Sequence, residues 1–417
     1  MGPTNTVDRI STKNNWLAWA DGVRGLAALS VVFQHLVNTF YPYMNYVRLQ
    51  DGQDGFTWVT WPIFRAMYSG TFSVQVFFVL SGMVLSVRFI QQISLDKQVM
   101  SVRDSFVRRL PRLLVPTVIV SFFSYLLFIF GGYNNSAGHH FIKLMVLDNG
   151  FLSFWQFIQQ SLVSVWADAG GNSYVPITWT ISYEVTGSFA VFLFLLASCY
   201  TRKMFRVLAQ VFLIITFMFA ASYTHSTFIY YSEFFKGILL AEIITFIQDW
   251  KPSIIRQVLG VLFFVAGLLF GSYPIVFEQD EWFWTNLKLV SDMWKLDEKL
   301  WYWLGSLFLL YGIGLSSWLQ YFFASRIPVY LGKISFPLYL IHLQVIASLG
   351  MTVFKIVQDQ FAYDYAVGIT VAVVLATSFL LSHIGIKYID GQGTRMGRWL
   401  VECVTDKKQV VLLLLPC

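Results

Sequence analysis

Long apolar stretches recur along the whole chain and are separated by shorter polar segments. A transmembrane helix needs about 20 predominantly apolar residues, and ten stretches meet or approach that length. They cover residues 23–44, 69–91, 113–131, 178–199, 205–222, 226–247, 254–273, 300–320, 328–352 and 366–388. This pattern predicts an all-α fold: a polytopic transmembrane helical bundle with about ten transmembrane helices.

The basic residues between the predicted spans fall mainly on one side of the membrane. An even number of spans places both termini on the same side. With the N-terminus in the cytosol, 21 of the 29 Lys and Arg residues lie at the cytosolic side and 7 at the opposite side. Because cytosolic segments are enriched in Lys and Arg, we expect both termini to be cytosolic. The predicted organisation is a cytosolic segment over 1–22, a membrane domain over 23–388 and a cytosolic tail over 389–417.

Composition narrows the classes of function further. The chain is 56% hydrophobic and 12% charged, whereas soluble proteins carry about 25% charged residues. The net charge of +6 follows from topology, so we expect a lipid bilayer and no nucleic acid as partner. The three cysteines lack the spacing of a metal or redox site, and we expect no metal. Asn134 begins a glycosylation sequon close to a span end, and the protein is a candidate glycoprotein there.

The first span carries two residues that hydrocarbon disfavours, Arg24 near its start and His35 near its middle. Eleven residues correspond to three helical turns plus about 20°, so the two side chains share a face about 16 Å apart along the axis. Polar groups at this depth persist mainly where they face a cavity or a partner. The alternative is structural: Arg24 reaches lipid head groups, and His35 bonds within the bundle.

A basic cluster precedes the third span. Arg108 and Arg112 are four residues apart and Arg109 and Arg112 three apart, so a helix brings the guanidinium groups to one sector. Arginine binds phosphate bidentately, and with Arg24 four arginines could converge at one cytosolic mouth. On charge alone the cluster is more typical of an anchor that contacts anionic lipid, and both interpretations stay open.

Further ionisable groups lie inside predicted spans. Glu184 lies about two turns into the fourth span, and an intramembrane Glu is a functional candidate with His35 or an arginine as its partner. Tyr339 and His342 are three residues apart on the ninth span, although a lone membrane His is more often an interhelical hydrogen-bond donor. Glu233 and Glu242 in the sixth span are lesser candidates of the same kind.

Five motifs follow one another between residue 21 and about residue 342. They are Asp21-Gly22-x-Arg24-Gly25-Leu26 with His35, Val76 to Gly82 with Ser81, Arg108-Arg109-x-Pro111-Arg112, Trp179-Thr180 with Glu184, and Gly332 to His342 with Tyr339. In this order they resemble the integral-membrane acyltransferase 3 family, and its fungal members most. The chain departs from the family after Asp390, where the expected proline is missing.

The resemblance implies transfer of an acyl group, usually acetyl, from acyl-CoA to a hydroxyl group, with acyl-CoA as co-substrate and no permanently bound cofactor. Arg24, Arg108, Arg109 and Arg112 would hold the phosphates of coenzyme A. His35 would be the general base, neutral because desolvation disfavours imidazolium, and Glu184 would orient it or stabilise the imidazolium that forms. Ser81, Tyr339 and His342 would line the cavity. Direct transfer and an acyl-His intermediate are both open.

The acceptor class follows from the fungal resemblance. We expect a hydroxylated small natural product of terpenoid or polyketide type, modified in secondary metabolite biosynthesis at the endoplasmic reticulum or another endomembrane rather than the plasma membrane. One alternative is O-acetylation of a cell-surface or luminal carbohydrate. Another is a proton- or anion-coupled transporter, which inverted repeats with broken spans in both halves would favour; the sequence shows no such symmetry.

The charge distribution generates a topology prediction. A reporter fused after Cys417 and another inserted near Asp148 should lie on opposite sides of the membrane, with the first in the cytosol. Protease protection in sealed vesicles measures both positions. Finding both reporters on one side would contradict the predicted orientation.

Overall fold

The computed structural model describes residues 17–45, 61–133, 154–164, 175–248, 250, 253–274, 282–294 and 299–405. The regular elements in these segments are helical. The α-helices are α1 (Ala18–Phe40), α2 (Pro62–Ala66), α3 (Gly70–Ile90), α4 (Leu95–Ile129), α5 (Phe154–Gln159), α6 (Trp179–Ala197), α7 (Lys203–Tyr223), α8 (Phe228–Ile247), α9 (Ile254–Gly271), α10 (Trp282–Trp294), α11 (Lys299–Leu315), α12 (Ser317–Phe323), α13 (Arg326–Val345), α14 (Met351–Val357), α15 (Tyr363–Gly385) and α16 (Gly391–Thr405). The all-α prediction is confirmed for this part of the chain.

The apolar helices agree in position with the predicted spans. Within the described residues, seven helical segments are long and apolar enough to cross a membrane, or eight if the bent pair α11 and α12 is one span. The two other predicted spans coincide with α1 and α8, which carry charged side chains and do not meet the same criterion. The count of about ten transmembrane helices and the cytosolic termini therefore stay predictions.

The predicted span over 300–320 is not one straight helix. It is divided between α11 and α12, which meet at an angle of 101°. Ser316 between them has an extended backbone (φ −104°, ψ 113°). The Gln257 side-chain oxygen of α9 accepts hydrogen bonds from the Ser316 and Ser317 hydroxyls at 3.2 and 3.1 Å. These bonds stabilise the bend, which hydropathy alone does not reveal.

The buried charged side chains of α8 are paired, either within the helix or with a neighbouring helix, which explains how they are tolerated in the interior. Lys236 contacts Glu233 at 2.6 Å, with both side chains at most 1% exposed. The Lys236 ammonium also donates to the Trp303 carbonyl of α11 at 2.7 Å. Glu242 accepts from Arg206 of α7. Since a buried charge without a partner is strongly destabilising, we assign these groups to the packing of α8.

Helices α1 and α13 run parallel and touch through glycines. A Cβ atom added to Gly25 would lie 2.3 Å from the Gly332 nitrogen, and one added to Gly332 would lie 2.1 Å from the Asp21 carbonyl oxygen. Small residues allow membrane helices to approach at backbone distance. Further along the same pair of helices, the rings of His35 and His342 face each other with centroids 5.1 Å apart. The glycine contact therefore sets the register in which the histidines meet.

This contact generates a stability prediction with an internal control. Gly25→Ala places a methyl group against the α13 backbone, and overpacking of this kind costs about 1–3 kcal/mol. Gly368→Ala on α15 serves as the control, because an added Cβ there has no atom within 4 Å. Thermal unfolding in detergent should show a lower melting temperature for Gly25→Ala alone. Equal melting of the two variants would contradict the close contact.

Candidate active site

A cavity of about 500 Å³ lies between α1, α3, α4, α6 and α13. This volume is in the range of small-molecule sites, roughly 300–1,000 Å³. The polar side chains that line it are Asp21, Arg24, Ser81, Arg109, Arg112, Thr180, Glu184, Lys333, Ser335, Tyr339 and Asp390. Apolar lining comes mainly from Phe77, Phe78 and Phe336. Residues from these five helices, together with Ile386 and Asp390 of the segment that follows α15, therefore form one cavity.

Three of the four predicted arginines meet in this cavity. Arg24 comes from α1, and Arg109 and Arg112 come from α4. Arg24 Nη1 lies 2.9 Å from Asp21 Oδ1, whereas Arg112 is exposed. We call the part of the cavity formed by Arg24, Arg109 and Arg112 the arginine end. Guanidinium groups arranged in this way are suited to a polyanionic ligand.

Arg108 is not among the residues that line the cavity. Its Nε donates to the Asp104 carbonyl oxygen at 3.0 Å, within α4. Its backbone packs against α16, where a Cβ added to Gly397 would lie 3.2 Å from the Arg108 Cα. Consecutive helical residues differ by about 100° in direction. Arg108 and Arg109 therefore face different neighbours, and the structure brings three of the four arginines together.

Glu184 has an arginine as its partner. Its carboxylate accepts hydrogen bonds from Arg109 of α4 and from the Ser81 hydroxyl of α3. Arg109 Nε also donates to the Ser188 hydroxyl at 2.8 Å. The Arg109 and Glu184 side chains are 11% and 14% exposed. Because each compensates the other's desolvation, this network joins α3, α4 and α6 at the wall of the cavity.

Tyr339 lies at the other end of the cavity from the arginines. Its hydroxyl is 2.8 Å from the Thr180 hydroxyl and 3.2 Å from the Ile177 carbonyl oxygen. Its ring contacts Phe77 edge-on, with centroids 6.1 Å apart. Helices α1 and α3 are antiparallel here, since Ser73 bonds to Ser30 at 2.9 Å and Gly70, earlier in α3, lies against Gln34, later in α1. We call this part of the cavity its inner end.

The two predicted histidines lie together one helical turn beyond the inner end. Neither lines the cavity itself. The His342 ring is fully buried and lies 6.0 Å from the Tyr339 ring, centroid to centroid. The His35 ring is tilted by 42° relative to that of His342. The polar groups therefore follow one another from three arginines to Tyr339 inside the cavity, and the histidine pair lies next to Tyr339 outside the cavity lining.

The chain matches a known family. The sequence model of the acyltransferase domain of the acyltransferase 3 family matches residues 17–383. The chain belongs to this family. A similar protein is the O-acetyltransferase PaAT-1 of Phomopsis amygdali, which is 24% identical over 428 residues, covering 92% of this chain and 84% of that protein. No solved structure matches the chain.

Sequence motifs that are far apart along the chain lie close together in this acyltransferase domain. The motifs with Arg24, Ser81, Arg109, Glu184 and Tyr339 all meet at the cavity. With its several apolar helices, the protein is a multi-pass membrane acyltransferase. Asn134, the predicted glycosylation site, lies outside the described residues. Among the described residues, three or more His, Cys, Asp or Glu side chains do not come together in a way that could hold a metal.

Three charged residues of the cavity, Asp21, Lys333 and Asp390, were not predicted as site residues. Asp21 begins the motif with Arg24, and Lys333 lies in the Gly332 to His342 motif, so the motifs were a signal that could have found both. Asp390 lies at the end of a π-helical segment, Ile386–Asp390, that follows α15. A π-turn changes the direction of every later side chain. Helical periodicity counted from the apolar span therefore does not predict which face of this segment meets the cavity, although the i,i+4 spacing of Ile386 and Asp390 places both on one face.

The different surroundings of Arg108 and Arg109 generate a prediction for a matched pair of variants. Arg109→Met leaves Glu184 without its cation, and we expect a loss of about 2–3 kcal/mol. This is below the roughly 3–5 kcal/mol of a fully buried pair, because the Arg109 and Glu184 side chains keep 11% and 14% exposure. Arg108→Met removes a cation that has no carboxylate partner among the described residues, so its melting temperature should stay near that of the wild type. Equal destabilisation in thermal unfolding would contradict this assignment.

Proposed function

We propose that the protein transfers an acyl group, acetyl in the first instance, from acyl-CoA to a hydroxyl group of a small natural product of terpenoid or polyketide type. It would act in a biosynthetic pathway at the endoplasmic reticulum or another endomembrane, with the arginine end open to the cytosol. Membership of an acyltransferase family and similarity to an O-acetyltransferase support O-acyl transfer. The donor and the acceptor are our proposal.

The observation that carries the proposal is the separation along α1 between Arg24, which lines the cavity, and His35, which lies beyond its inner end. Arg24 and His35 are eleven residues apart on α1, which is about 16 Å along the helix axis. Coenzyme A has a polyanionic head and a long pantetheine arm that ends in the thioester. Phosphates bound by Arg24, Arg109 and Arg112 would place the thioester beside Tyr339 and the histidine pair.

In the proposed reaction His35 is the general base. It takes the proton of the acceptor hydroxyl as the oxygen attacks the thioester carbonyl, so an O–acyl bond forms while the C–S bond breaks. The imidazolium then returns the proton to the leaving thiolate, and the products are an ester and free coenzyme A. General-base assistance of this kind is typically worth about 10² to 10⁴ in rate. An acyl-His intermediate is the alternative route.

Glu184 has a different role in this proposal from the one expected from the sequence. Its hydrogen bonds go to Arg109 and Ser81, so we assign it to positioning the phosphate-binding Arg109 rather than orienting His35. Arg109 would keep its second link, to Ser188, while it contacts the donor. Preorganised cations of this kind bind charge without a cost of reorganisation.

Transfer of radiolabel from acetyl-CoA by the purified protein in detergent tests the proposal. With a panel of hydroxylated terpenoids and polyketides, the wild type should form labelled ester. His35→Ala should abolish transfer while coenzyme A affinity stays near the wild-type value, because the base acts in the transition state. Arg24→Ala should raise the donor KM first, since it removes a ground-state contact.

The wild type and the variants compared in this assay must be equally well folded, as shown by equal elution volumes in gel filtration and equal melting temperatures. A His35→Ala protein that transfers label at the wild-type rate would contradict the mechanism. Labelled carbohydrate in place of labelled terpenoid or polyketide would contradict the acceptor class but keep O-acyl transfer.

A further inference from the structure

His342 is a fully buried imidazole with incomplete hydrogen bonding. It is 0% exposed, and its Nδ1 lies 3.0 Å from the Leu338 carbonyl oxygen. Because a carbonyl only accepts, Nδ1 carries the proton, and Nε2 of the neutral ring is an acceptor. Nε2 has no hydrogen-bond partner within the described part of the chain. A buried acceptor left in this state is destabilising, so a donor at this position would stabilise the fold.

The neighbour that can reach this acceptor is His35. The two ring centroids are 5.1 Å apart and the planes are inclined by 42°. Two imidazoles joined by an N–H···N bond of about 3 Å have their centroids about 5 Å apart. The separation is thus that of a hydrogen-bonded pair, and alignment of a His35 N–H with Nε2 requires a change of ring orientation.

The other polar groups nearby are engaged elsewhere. The Tyr339 hydroxyl bonds to Thr180 and to the Ile177 carbonyl. The Glu184 carboxylate bonds to Arg109 and Ser81 at the wall of the cavity. His342 Nε2, on the ring that faces His35, has no such bond within the described part of the chain.

We propose that His342 is a positioning residue for His35: its Nε2 accepts the N–H of one His35 nitrogen and fixes the tautomer in which the other nitrogen faces the acceptor hydroxyl. The inference rests on the proposed function, in which His35 is the base. When His35 takes the hydroxyl proton, its first N–H remains bonded to His342, and the new proton passes to the departing thiolate. In a Ser-His-Asp triad the carboxylate accepts the N–H of the histidine and fixes its tautomer in the same way. In this protein the acceptor is a neutral imidazole.

Two variants of His342 separate positioning from packing. His342→Phe keeps a ring but removes the acceptor, and should lower kcat about 100-fold, within the range that a general base contributes. Donor KM and coenzyme A affinity should stay near the wild-type values. His342→Gln, whose amide oxygen can accept from His35, should recover part of kcat. The control is His383→Phe on α15, an exposed histidine that bonds to Tyr330 at 3.1 Å, which should behave as the wild type.

Labelled transfer by the wild type, measured in the same assay, tests the proposed function separately. If the wild type transfers nothing, the proposed function fails and the inference with it. If the wild type is active, a His342→Phe protein with wild-type kcat overturns the inference alone. A raised acceptor KM with unchanged kcat also overturns it, because Nε2 would then bind the acceptor. Equal loss of folded protein in the Phe and Gln variants would assign His342 to packing.

Discussion

The backbone contact between α1 and α13 is the constraint on which the site depends. Gly25 and Gly332 let these helices touch at a distance that leaves no room for a Cβ atom. One helix carries Arg24 and His35, and the other carries Lys333, Tyr339 and His342. Because both helices are stiff, a single contact near the arginine end fixes the relative height of all these side chains. The histidines meet three turns away as a consequence of that register.

The charges of the site are tolerated because they are paired across helices. Glu184 on α6 compensates Arg109 on α4 and also binds Ser81 on α3, so the wall of the cavity is held by the same groups that give it charge. The buried Lys236 and Glu233 are also paired, in their case within α8 and away from the cavity. What distinguishes the cavity is its excess of one positive charge, since four cations, Arg24, Arg109, Arg112 and Lys333, line it together with three carboxylates, Asp21, Glu184 and Asp390.

Much of this arrangement could be predicted from the sequence. Apolar stretches predicted the positions of the helices, and the spacing of Arg24 and His35 predicted a common face because it depends only on helix geometry. The direction of Arg108, the 101° bend at Ser316 and the position of Asp390 could not be predicted. Each depends on a neighbour or on a local break in periodicity: the α16 backbone at Gly397, the side chain of Gln257 and a π-helical segment.

The binding of coenzyme A to Arg112→Lys and Arg108→Lys proteins is the measurement that tests the central claim most directly. Both variants keep the charge of α4, but lysine lacks the bidentate geometry of arginine. If the arginine end binds the donor phosphates, Arg112→Lys should weaken coenzyme A binding about tenfold, or roughly 1.4 kcal/mol, and Arg108→Lys should leave it unchanged. Unaltered affinity in both variants would mean that these arginines anchor the helix to lipid, and would contradict the donor site.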